Sequence, residues 1–124
     1  MRGASMKYMK YIGIISIALF LSVSLIPLGV HATPPRYINI QYQASTHTLK
    51  VTISHITPVR SIHYIYRIVV EKNGVLDQVH FYSKQPRFFL NTYEYNMSAN
   101  PGDVITVSAY CVLFGYNSRS ITVS

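Results

Sequence analysis

The sequence predicts an all-β fold, a seven-stranded antiparallel sandwich, behind an N-terminal hydrophobic segment. Two observations predict the sandwich. Beyond Pro35 the apolar residues recur with period two and show no helical period. Turn residues punctuate that pattern at short, regular intervals. A third observation sets the first 32 residues apart. Arg2, Lys7 and Lys10 precede an uncharged stretch from 12 to 30, and Val30-His31-Ala32 closes it with small side chains where a signal peptidase reads them. Basic head, apolar middle and small-residue site read as a secretory signal peptide. The stretch is also long enough for an uncleaved membrane anchor, although Pro27 and Gly29 favour cleavage. The expected division is a signal peptide or anchor at 1–32 and one domain at 33–124, secreted or held at the outer face of a membrane. The domain is long enough for one compact sandwich.

The strands follow in order. Residues 36–43, "RYINIQYQ", place Ile38, Ile40 and Tyr42 on one face. Residues 47–55 place Leu49, Val51 and Ile53 on one face, with Lys50 and Thr52 opposite. Residues 62–71, "IHYIYRIVVE", are rich in the β-branched and aromatic types that suit a pleated surface. Asn73-Gly74 supplies the two positive-φ positions of a tight hairpin, and 75–83 form the return strand. Residues 87–96 follow Pro86, and Asn100-Pro101-Gly102-Asp103 makes a turn. Residues 104–114 and 120–124 close the set. Seven short strands of this kind point to a two-sheet sandwich of immunoglobulin type. The chain has one Cys and no Trp, so the architecture is expected without the antibody hallmarks.

Charge excludes some functions. Residues 33–124 hold eight Lys/Arg and four Asp/Glu, scattered along the strands, for a net charge of +4. A nucleic-acid reader would carry a basic stripe, and none is present. The acids Glu71, Asp77, Glu94 and Asp103 form no pair suited to general acid–base work. Nucleophile-elbow and phosphate-loop motifs are absent. Asn96-Met97-Ser98 fits the glycosylation pattern of a surface loop.

The chemistry-bearing residues are His47, His55, His63, His80 and Cys111. Imidazole and thiolate bind transition metals through lone pairs. A lone Cys outside the cell is a bridge to another chain, a reactive thiol, a ligand or a buried residue. Cys111 shares an apolar face with Ile105, Val107, Ala109 and Leu113, which favours burial. His55 continues the inward row of Leu49, Val51 and Ile53. His63 alternates with Ile65 and Arg67 on the less apolar face. His47 and His80 read as strand-end or solvent-facing residues.

Two segments, "TPVRSIHYIYRI" at 57–68 and "AYCVLFG" at 109–115, resemble the ferrous-iron domain of the superoxide reductase family, the desulfoferrodoxins and neelaredoxins. The resemblance implies a seven-stranded sandwich whose iron is held by four histidines and one cysteine, with one position open to superoxide. Its first motif, His-Pro-x-x-x-x-His, falls on Thr57, Pro58 and His63. Its second, Cys-Asn-x-His-Gly, falls on Cys111, Val112, Phe114 and Gly115. His63 and Cys111 thus stand at ligand positions, while Thr57 and Phe114 replace histidines. The family's early Lys-His-x-Pro segment has no match in "TPPRYINI". His55, two residues before Thr57, adds a third donor, and His55, His63 and Cys111 would hold iron or another transition metal with an open position. The implied substrate is superoxide or another small oxidant. No nucleic-acid partner is implied, and membrane association would run through residues 12–30. The competing expectation is a non-catalytic extracellular sandwich serving as a binding or structural module. Nine tyrosines beyond residue 32 are compatible with it, since aromatic faces are common in interfaces.

Overall fold

The computed structural model describes residues 2–24 and 33–124. These form two compact units, one ending at His31 and one beginning at Ala32. The first is a helix, α1 (Arg2–Ser24). Among the described residues no helix is long and apolar enough to cross a membrane. The end of the uncharged stretch and the Val30-His31-Ala32 site lie outside the described residues.

The second unit is a β-sandwich of seven antiparallel strands: β1 (Tyr37–Gln43), β2 (Thr48–Ser54), β3 (Ile65–Lys72), β4 (Val75–Phe81), β5 (Leu90–Asn96), β6 (Val104–Cys111) and β7 (Tyr116–Thr122). One sheet has the order β1-β2-β5 and the other β4-β3-β6-β7. In constant-type immunoglobulin domains the fourth strand extends the sheet of the first, second and fifth. Here β4 hydrogen-bonds to β3 instead, because Asn73 and Gly74 at φ 53° and 77° fold the two into a tight hairpin. Asn73 also fastens the far turn: its amide donates to Asp103 and its oxygen accepts from the Val104 N–H.

The inward rows expected on β1 and β2 are buried except for the half-buried Tyr42, and Ile65, Ile68, Val70, Tyr93, Tyr95, Ile105, Val107 and Ala109 complete the core between the sheets. Three strands are shorter than their sequence pattern suggests, β3, β5 (which starts at Leu90 and not at 87) and β6, while β7 starts at Tyr116, earlier than the expected 120. β3 starts at Ile65, since residues 59–63 close a turn in which the Val59 carbonyl accepts from the N–H groups of Ile62 and His63. β6 stops at Cys111, where its N–H donates to the Gly115 carbonyl, so Leu113 is exposed and leaves the core face on which the alternation placed it. The register between β3 and β6 shifts between Ile65 and Arg67. That bulge changes the parity of the strand: Ile65 points inward with Ile68 and Val70, while Arg67 faces out over the Tyr110 ring.

Strand directions bring residues 33–36 and the β2–β3, β4–β5 and β6–β7 loops to one end of the sandwich, as the pairs Tyr37↔Ser54, Ser54↔Leu90 and Ile65↔Cys111 require. His55, His63 and Cys111 all lie at that end.

Candidate metal centre

His55 follows the last residue of β2 and keeps its inward direction. Its N–H donates to the Phe89 carbonyl at 2.9 Å, and two residues on the Thr57 N–H donates to Phe88, also at 2.9 Å. This prolongs the strand irregularly and sinks the His55 ring to 0 % exposure. A buried imidazole needs partners. The Gln85 side chain, also fully buried, supplies one: its Oε1 lies 2.7 Å from His55 Nδ1. The Gln85 amide nitrogen donates to the carbonyls of His55 and Arg87, both at 2.8 Å. Those two acceptors fix the orientation of the amide, so its oxygen must face the ring and Nδ1 must carry the proton. In that neutral tautomer Nε2 holds a lone pair. It faces the Thr33 carbonyl at 3.2 Å, an acceptor that cannot donate to it, so the lone pair has no donor and that carbonyl must give way for Nε2 to bind a metal.

His63 ends the turn that precedes β3 and is half-buried. Its ring stands edge-on to that of His55, with centroids 4.6 Å apart and planes at 86°. Its Nε2 is buried and has no hydrogen-bond partner. Burial pulls its pKa below the ordinary 6.5, the neighbouring His55 adds to this, and a hydrogen bond to the backbone at Thr33 opposes it. His63 is therefore neutral at pH 7, with lone-pair density to offer.

Cys111 ends β6 opposite Ile65, is 5 % exposed and makes no disulfide. The loop after it is held on both sides: Val112 N–H donates to the Tyr64 carbonyl, and Gly115 closes the turn at φ 77°. A Cβ on Gly115 would come within 3.0 Å of Pro34 Cβ, so a residue without a side chain lets the loop approach the segment that carries Thr33.

One ligand atom from each of His55, His63 and Cys111 lies within 4.8 Å of the other two. Metal–ligand bonds of about 2.0–2.3 Å set the donors of one tetrahedral ion about 3.3–3.8 Å apart. Side-chain shifts of about 1 Å therefore close the group on an ion. Two imidazoles and a thiolate are a borderline-soft donor set that leaves a fourth position open, as in catalytic zinc and several copper sites.

The five-ligand iron set implied by the sequence resemblance is not assembled. Thr57 is buried with its hydroxyl unpartnered. Phe114 is 68 % exposed and does not pack in the histidine's place. His47 lies in the β1–β2 turn at φ 51°, exposed as expected. His80, near the end of β4, is half-buried and stacks on Tyr95 at 4.0 Å, so it faces the sandwich and not the solvent. Asn96 of the glycosylation pattern is exposed at the end of β5, but Met97 beside it belongs to the core. Gln85 was not legible in the sequence. It lies between Lys84 and Pro86 in a loop with no alternation to mark an inward residue.

No protein-family profile and no curated protein sequence matches the chain. Among solved structures it is similar to a superoxide reductase (neelaredoxin) from Ignicoccus hospitalis. That likeness has a TM-score of 0.45 and 16 % identity, and covers 77 % of this chain and 86 % of the other. At that score the likeness carries no chemistry over to this chain, and the site stands on its own residues.

Proposed function

We propose that the sandwich binds one transition-metal ion through His55 Nε2, His63 Nε2 and the Cys111 thiolate, and acts outside the cytoplasm on superoxide or another small oxidant. The observation that carries the reading is that one ligand atom from each of the three residues lies within 4.8 Å of the others, in a group whose His63 Nε2 is buried without a hydrogen-bond partner. A buried polar atom without a partner costs about 1–3 kcal/mol, and a metal ion is a partner that removes this cost. The substrate class comes from the sequence resemblance of Pro58, His63, Cys111 and Gly115 to superoxide reductases.

The residues have separate tasks. Gln85 holds the His55 proton on Nδ1 and keeps Nε2 aimed into the site, the outer-shell role that fixes ring orientation and ligand basicity in metal centres. Depression of the His63 pKa keeps that ring unprotonated at neutral pH. Cys111, nearly enclosed at the strand end, limits water at the sulfur. A bound redox-active ion would supply one-electron chemistry at the open position, tuned by the thiolate.

The test is titration of the reduced full chain with Co(II), whose thiolate ligation gives a near-ultraviolet charge-transfer band. Saturation at one ion per chain, with the band lost in Cys111→Ser and weakened in His63→Ala, supports the reading. A spectrum identical to that of aqueous Co(II) refutes it.

A second reading, a binding module, has one observation in its favour. On the outer face of the four-stranded sheet, Arg67 lies 4.0 Å over the Tyr110 ring, which stacks on Tyr116 at 5.1 Å. Arg and Tyr are the side chains that dominate protein interfaces. Retained partner binding by a Cys111→Ser variant and its loss in Tyr110→Ala would favour this reading.

A further inference from the structure

The end of the sandwich that carries the metal centre is also its most apolar surface. Ile56, Val59, Ile62, Phe88, Phe89 and Phe114 are all more than two-fifths exposed there, from three separate loops. Scattered exposed apolar residues need no explanation, but six gathered on the loops of one end mark an interaction surface. The charges at this end are of one sign. Residues 33–36, 55–64, 82–89 and 112–115 contain Arg36, Arg60, Lys84 and Arg87, all exposed, and no acid. The acids Glu71, Asp77 and Asp103 belong to the opposite end, and Glu94 to the middle of β5. A groove of about 480 Å³ runs between the basic loops, lined by Pro58, Arg60, Lys84, Pro86 and Phe88 among others. Arg60 spends one guanidinium N–H on the Pro86 carbonyl and lies 4.8 Å over the Phe88 ring, which leaves its remaining donors for an anion in the groove that Lys84 also lines.

We propose that this end docks on a lipid bilayer bearing anionic headgroups. The apolar loop tips enter the interface, and the Arg60–Lys84 groove takes a lipid phosphate. Aromatic and aliphatic tips ringed by cations suit that surface, where apolar burial and attraction to anionic lipid act together. The course of the chain points the same way. It enters the sandwich at this end, at Thr33, three residues after the uncharged stretch 12–30 finishes. Docking depends on neither the metal nor Cys111, so it stands or falls apart from the proposed function.

The chain contains no tryptophan, which allows a site-specific test. Phe114→Trp in the full chain supplies one reporter and Phe88→Trp a second. Val75→Trp, at a residue 70 % exposed at the opposite end, is the control. Each is mixed with vesicles of phosphatidylcholine and phosphatidylglycerol, three to one, carrying brominated acyl chains. The expected result is blue-shifted, quenched emission from positions 114 and 88 and unquenched emission from 75. Arg60→Gln with Lys84→Gln should lower the ratio of docked to undocked protein, read from the quenched fraction, about 25-fold, or about fivefold per charge removed. Unquenched, water-like emission at 114 and 88 overturns the proposal and leaves the apolar end to a protein partner. Equal quenching at 75 overturns it too. So does quenching that is the same on pure phosphatidylcholine and indifferent to the two substitutions, because proximity would then come from the tether alone.

Discussion

Replacing Gln85 by Leu removes three hydrogen bonds while leaving the volume nearly unchanged. The bonds are those to His55 Nδ1 at 2.7 Å and to the carbonyls of His55 and Arg87 at 2.8 Å. A hydrogen bond contributes about 1 kcal/mol net, and a buried group left without its partner costs about 1–3 kcal/mol. Gln85 and the His55 ring are both fully buried, and the Arg87 carbonyl partly so. The Arg87 carbonyl keeps the Asn91 amide as a donor, so His55 Nδ1 and the His55 carbonyl are the groups left unpaired, and the total loss is about 2–6 kcal/mol. A domain of this size stands on a margin of about 5–14 kcal/mol, so the variant should remain folded but lose much of its stability. In thermal unfolding followed by far-ultraviolet circular dichroism, the loss corresponds to a Tm lower by about 10–45 °C. Metal affinity should fall about 10–100-fold as well, the usual cost of losing an outer-shell partner. Gln85→Glu keeps an acceptor for Nδ1 and should retain more of the affinity than Gln85→Leu. A Gln85→Leu protein within about 0.5 kcal/mol of the wild type would refute the hydrogen-bond assignment, and with it the tautomer that frees Nε2.

Other consequences concern the sandwich itself. Ile68→Ala empties a fully buried position facing the other sheet, and urea unfolding should show a loss of about 2–5 kcal/mol. Gly115→Ala places a Cβ at 3.0 Å from Pro34 in a left-handed conformation, and should cost about 1–2 kcal/mol while disturbing the Cys111 loop. A Co(II) band that is unchanged in this variant would show that the close approach does not position the ligand. Burial raises the pKa values of Tyr82, Tyr93 and Tyr95 above the usual 10.0, the last two strongly. The folded state thus holds these phenolic protons more tightly than the unfolded state. Stability is full below pH 10 and falls as the pH rises beyond it. Alkaline unfolding should be accompanied by tyrosinate absorbance, and titration of all nine sandwich tyrosines in the folded state would contradict the burial.

β1, β2, β3, β5 and β6 were legible because each buries one face, which leaves a period-two trace in the sequence. Leu49, Val51 and Ile53 show it plainly. β4 and β7 bury no full face and were marked by the turns beside them. The ends of β3 and β6 were not legible, because loops stop them through backbone hydrogen bonds that no side chain advertises. Alternation runs on through Ile62 and Leu113, while the chain has already turned. The β3 bulge also inverts the parity on which the reading of His63 relied. The inward placement of His55 did follow from the pattern, since it extends the β2 row by one step. Its meeting with His63 and Cys111 depends on three loops converging, and Gln85, from the β4–β5 loop, has no pattern at all.

Metal content tests the central claim most directly. The full chain, purified under reducing, anaerobic conditions, is assayed by elemental analysis beside Cys111→Ala. Three ligand atoms within 4.8 Å predict close to one iron, zinc or copper ion per chain, and its disappearance from the variant. A folded wild-type protein free of metal, or one whose metal survives the loss of Cys111, would contradict a centre built on His55, His63 and Cys111.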